Sequence, residues 1–157
     1  MNRSAVLADW IIEQTTDALI YTNREGVIER WNHAASVLFG FSADEAIGHS
    51  VDLIIPEHLR AAHWNGFNKA VEAGTTRLAG RPALTRAASK DGRKLYVEMT
   101  FALVKSDDDG VVGSVAIARD VTERVERERA ARAPAGPPSL PAKAPAGTPR
   151  KSIRDSR

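Results

Sequence analysis

The sequence predicts an α+β domain: a five-stranded antiparallel sheet with short helices over one face, an amphipathic helix before it and an exit helix after it. Three observations carry this. Within residues 1–132 the spacing of apolar residues switches repeatedly between a period near 2 and a period near 3.6. β-type runs lie at both ends of that segment with helical runs between them, so the two ends must pair at long range into one sheet. Short turns rich in Asp and Gly separate the last three β-type runs, which favours antiparallel neighbours.

Taken in order, Val6, Leu7, Trp10 and Ile11 recur at helical spacing behind Ser4, a residue suited to capping, and give an N-terminal helix within residues 1–16. Ala18 to Thr22 and Val27 to Trp31 are β-type runs joined by Asn-Arg-Glu-Gly, a hairpin whose Gly26 supplies a positive φ. Asn32 caps a short helix stopped by Gly40, and Ser42-Ala-Asp-Glu45 is a capping box for a further turn ended by Gly48. Pro56 opens a longer helix that stops at Gly74. Thr76 to Ala88, Lys94 to Lys105 and Val111 to Arg119 read as three long strands. In the second of these Leu95, Val97, Met99, Phe101 and Leu103 alternate with mostly polar residues, the pattern of a half-buried strand. From Asp120 a charged helix runs to residue 132, with Glu123–Arg127 and Glu128–Arg132 at the favourable i,i+4 spacing.

The chain has 157 residues, 43% apolar and 27% charged, which suits one ordinary domain. It has no cysteine, so disulfides, cysteine-based metal sites, thiol nucleophiles and flavin photochemistry through a cysteinyl adduct are excluded. The formal charge of +2 is unevenly spread. Residues 133–157 hold five basic side chains, one acidic side chain and six of the eight prolines, so residues 1–132 are slightly acidic. This segment is expected to be a disordered, Pro/Ala-rich basic tail, because it has too little apolar surface to offset its ordering entropy. No apolar run approaches a membrane span and no signal sequence is visible, so a cytoplasmic location is expected.

Residues 13–132 resemble the PAS domain family. The resemblance rests on DALIYTNREGVIERWN, NHAASVLFGFSADEAIGHSV, DGRKLYVEMTFALV and the ending VAIARDVTERVERE. In that ending Asp120 and Thr122 match the family's Asp-x-Thr signature, which implies a signal relay from the last strand into the exit helix. The expected layout is a cap helix (1–16), a PAS core (17–119), a signalling helix (120–132) and the tail (133–157). The resemblance further implies a sensory and interaction module, often homodimeric, with haem, flavin or a small metabolite bound in some members. Val6, Leu7, Trp10 and Ile11 are the expected dimer contact, since one cup cannot cover that stripe.

The haem-binding, oxygen-sensing members carry their iron-ligating histidine on the long helix that follows Pro-Glu. Here the segment reads Pro56-Glu-His-Leu-Arg-Ala-Ala-His63, which puts His63 on that position and implies haem b as a cofactor. Leu59, His63 and Phe67 recur at i, i+4 and i+8, so His63 lies on the helix's apolar stripe, where a neutral imidazole is a competent iron ligand. An inward histidine is equally compatible with a hydrogen-bonded core residue, and the ligand stays open. Of Arg77, Arg81 and Arg86, Arg81 is the first candidate for a pocket arginine, and a solvent-facing arginine fits the strand pattern as well. Phe67 completes the candidate pocket. Trp64 points away from the stripe, toward the pocket mouth or a dimer contact. His58 and His63 sit on different helix faces, so no protein-only metal site is expected.

No phosphate-binding loop, HExxH or GxSxG motif is present, and no enzymatic activity is expected. Output is expected to pass through a separate signalling protein such as a kinase or a transcription regulator. An alternative function is DNA association through the basic tail, although direct nucleic-acid binding is not the favoured reading.

Overall fold

The computed structural model describes residues 2–134 and 136, so almost all of the expected tail lies outside the described residues. Helix α1 (Arg3–Gln14) is capped by Asn2, whose Oδ1 accepts from the Ser4 amide at 3.0 Å. The cap therefore sits two residues before Ser4, because Asn2 supplies the acceptor for the first turn. Strands β1 (Ala18–Asn23) and β2 (Ile28–Trp31) form the hairpin, with Gly26 at φ 77° in its turn. Helix α2 (His33–Phe39) follows, then α3 (Ala43–Ala46) with its reciprocal Ser42/Glu45 capping box, and a 3₁₀ turn at Val51–Ile54. Helix α4 (Glu57–Ala73) ends at Gly74, φ 72°. The remaining elements are β3 (Ala83–Ala88), β4 (Lys94–Ser106), β5 (Gly110–Asp120) and α5 (Thr122–Arg132).

All five strands join one antiparallel sheet in the order β2-β1-β5-β4-β3, so the chain's first and last strands are neighbours at its centre. Its inner face is set by alternation: Ala18, Ile20 and Thr22 of β1 stand beside Ala118, Ala116 and Ser114 of β5. Leu95, Val97 and Met99 continue that face on β4, and α2, α3 and the 3₁₀ turn cover it with Ala35, Phe39, Ala46 and Ile54.

The strand expected from Thr76 is corrected by the structure: β3 begins only at Ala83. Ala79 at φ 47° and Gly80 at φ 77° turn the chain in the left-handed region, and Pro82 has no N–H to donate to a ladder. The exit helix starts after Asp120, and it forms the Glu123–Arg127 pair at 2.7 Å, whereas Glu128 and Arg132 do not pair with each other.

Asn32 ties the N-terminal elements together. It is 1% exposed, and its Oδ1 accepts from the amides of Leu19 and Ala35 while its Nδ2 donates to the carbonyls of Ile12 and Asp17. One side chain thus caps α2 and holds the end of α1 to the start of β1, supplying partners for four otherwise unpaired backbone groups.

Candidate functional site

Helix α4 buries none of its residues completely, although it is 17 residues long. Its apolar stripe, Leu59, His63 and Phe67, stands over a cavity of about 270 Å³ whose sheet side includes Ile20, Met99, Phe101 and Ala116. Small side chains on β5 leave this space, since Ser114 and Ala116 stand where larger residues would fill it. The i, i+4, i+8 spacing is enough to place Leu59, His63 and Phe67 on one face, and the structure brings all three to the same cavity.

His63 packs edge-on to Trp64 at 4.9 Å between centroids and nearly parallel to Phe67 at 6.1 Å. Its Nδ1 is enclosed and finds no hydrogen-bond partner among the described residues. Burial pushes the imidazole below the usual histidine range, opposed by the Asp52 carboxylate nearby. Leaving such an enclosed polar group unpaired costs about 1–3 kcal/mol.

Arg81 lies outside this cavity. It is exposed, and its Nε donates to the Leu78 carbonyl at 3.1 Å within the turn that precedes β3. Arg86 borders the cavity, but its guanidinium sits over the Tyr96 ring at 5.4 Å, where Arg129 of α5 also stacks at 4.8 Å. Tyr96 in turn meets the expected relay. Thr122 Oγ1 accepts from the Tyr96 amide at 2.9 Å, and Asp120 Oδ1 accepts from the Thr122 amide at 2.9 Å. The junction between β5 and α5 is therefore fastened to β4.

Trp64 is half-buried and packs against the β1–β2 turn. Its Nε1 donates to Asp52 Oδ1 at 2.9 Å and its ring lies on Gly26. Thr22 and Ser114 also enter the cavity wall, their hydroxyls 3.2 Å apart. The signal for Thr22 is a hydroxyl on the apolar face of β1. Ser114 depends on the β1–β5 register, which sequence spacing does not provide. On α1, Leu7, Trp10 and Ile11 are 52%, 60% and 61% exposed, while Val6 is half-buried. Among the described residues no group of three metal-ligating side chains converges, and no helix is long and apolar enough to cross a membrane.

A family profile described as the PAS fold matches residues 12–126. The oxygen sensor protein DosP of Escherichia coli is 31% identical over 119 residues, which is 75% of this chain and 15% of that protein. The sensor protein FixL of Bradyrhizobium diazoefficiens is 25% identical over 118 residues, 75% of this chain and 23% of that protein. The chain thus spans less than a quarter of either relative. Among solved structures, the PAS domain of a Colwellia psychrerythraea protein superposes with a TM-score of 0.67 at 24% identity, covering 77% of this chain and 99% of that one. With the sheet order, the covering helices and a profile match over most of its length, this chain belongs to the PAS family.

Proposed function

We propose that the chain is a PAS sensory module in signal transduction that binds a small ligand between α4 and the sheet and passes its occupancy to a partner protein. The observation that carries this is a cavity of about 270 Å³ lined by Leu59, His63 and Phe67, which α4 spans without a single fully buried residue. Occupancy would change how α4 rests on the sheet, and β4 and β5 connect the same sheet to α5 through Tyr96 and Thr122. A ligand shifts such an equilibrium by its difference in affinity for the two arrangements. The exposed Leu7, Trp10 and Ile11 stripe, with Val6, serves as the contact to a second copy, and a kinase or transcription regulator receives the output.

A second reading is a haem-based gas or redox sensor with His63 as axial ligand. Its support is the neutral imidazole on an apolar wall, together with the similarity to a protein named an oxygen sensor. The imidazole suits iron, and the bound group would supply a centre for a diatomic gas. A cavity of about 270 Å³ holds one ring and not a porphyrin, so this reading requires α4 to move off the sheet. His63 and Phe67 are the residues that would hold it, and no pocket arginine is contributed by Arg81. Recording the absorption spectrum of protein produced with haem supplied separates the two readings. A Soret band that is lost in His63→Ala supports the haem sensor. No band, or one unchanged in that variant, removes haem and leaves the small-ligand reading.

A further inference from the structure

Thr22 and Ser114 form a polar spot on an otherwise largely apolar cavity wall. Thr22 is 4% exposed, and among the described residues the two hydroxyls partner each other at 3.2 Å. Two hydroxyls carry two hydrogens, and the bond between them uses one. The second O–H and the remaining lone pairs are left for whatever occupies the cavity. The His63 ring belongs to the opposite, helical wall.

Charge is what the cavity lacks. Among the described residues no Asp, Glu or Lys lines it, and the bordering cation, Arg86, directs its guanidinium to Tyr96. On β3, Thr85 and Ala87 face the core, so the intervening Arg86 belongs to the other face of the sheet. An ionised ligand would lose its hydration there without gaining a counter-charge. Size sets a further bound: a cavity near 150 Å³ accommodates benzene, so about 270 Å³ suits a ring with a short substituent.

We infer that the α4 cavity selects a neutral, mainly apolar molecule of about one substituted ring, whose hydroxyl or carbonyl docks on the Thr22–Ser114 hydroxyl pair. This rests on the cavity being the ligand site, and it names the chemical class that site takes. The apolar body lies against Ile20, Met99 and Phe101, and the polar group offers an acceptor to the spare O–H. A hydrocarbon of the same shape leaves that donor unpaired.

The test is an NMR titration of the full chain with 4-ethylphenol, 4-ethyltoluene and 4-ethylbenzoate at pH 7.5. The phenol is expected to bind about fivefold or more tighter than the hydrocarbon, consistent with one net hydrogen bond of about 1 kcal/mol, and the carboxylate to bind at least tenfold more weakly than the phenol. In Thr22→Val/Ser114→Ala, which removes both partners together, the preference for the phenol should fall to within twofold. Equal binding of phenol and hydrocarbon by the natural protein, which needs no variant to fold, overturns the inference while leaving the cavity as a ligand site. A preference that persists in the double variant overturns it as well. If none of the three probes binds, the ligand-site reading fails with it.

Discussion

The indole of Trp64 lies on the backbone of Gly26, so close that a β-carbon at residue 26 would stand 2.0 Å from Cη2 of the ring. The same indole donates to Asp52, and Arg60 donates to the carbonyls of Ile55 and Asp52. The first half of α4 is thereby pinned to the β1–β2 turn and the 3₁₀ turn. Among the described residues its second half, from Phe67 onward, makes no side-chain hydrogen bond of this kind. The wall carrying His63 is held at one end and free to settle on the cavity at the other.

Gly26→Ala should therefore cost more than its backbone strain. At φ 77° an alanine loses about 1–2 kcal/mol, and displacing Trp64 adds about 1–2 kcal/mol more. Gly92→Ala is the control, since Gly92 has φ 81° and a β-carbon added there would meet nothing within 4 Å. Urea unfolding of both variants checks this, and equal losses would refute the Trp64 contact.

Stability should depend on pH through His63. Burial lowers its pKa in the fold, while the unfolded chain takes up the proton near 6.5. As pH falls below about 6.5 the unfolded state gains a proton that the folded state resists, so stability decreases from there down to the folded value. His63→Gln should flatten this slope between pH 7.5 and 5.5, measured by urea midpoints. An identical slope in the variant would mean other groups set it.

Thr122→Val should loosen the exit helix with little change to the core. It removes the acceptor for the Tyr96 amide and the return bond to the Tyr96 carbonyl, a loss of about 1–2 kcal/mol. Hydrogen exchange should accelerate in α5 and at Tyr96 while β1 and β5 stay protected. Uniform acceleration would show that Thr122 supports the whole sheet instead.

Trp10→Ala should weaken self-association, because the α1 stripe has little cover within one copy. Sedimentation of the natural protein should give a dimer and the variant a larger monomer fraction. A monomer for the natural protein contradicts this contact.

How much of the molecule is legible in its sequence follows from the range of each interaction. The Gly26 hairpin, the Asn32 cap, the Ser42/Glu45 capping box and the Gly74 stop are local, and their residue types state them directly. Helical spacing alone places His63 and Phe67 on the inner stripe. The start of β3 is not legible, because β-type composition from Thr76 to Arg81 says nothing of a left-handed Ala79, and the position of Arg81 is lost with it. Asn32 reads as a cap only, since its bonds to Ile12, Asp17 and Leu19 need the tertiary fold. The Trp64–Gly26 contact and the Thr22–Ser114 pair join residues distant in sequence and depend on packing and register.

Ligand binding under α4 is tested most directly by observing where a bound molecule sits. Intermolecular NOEs from 4-ethylphenol to methyl groups of the protein make that measurement. Contacts to Ile20, Met99 and Ala116, which line the cavity under α4, are the predicted result. Contacts confined to Leu7, Ile11 or Val37, all exposed on the outside of the molecule, would contradict it.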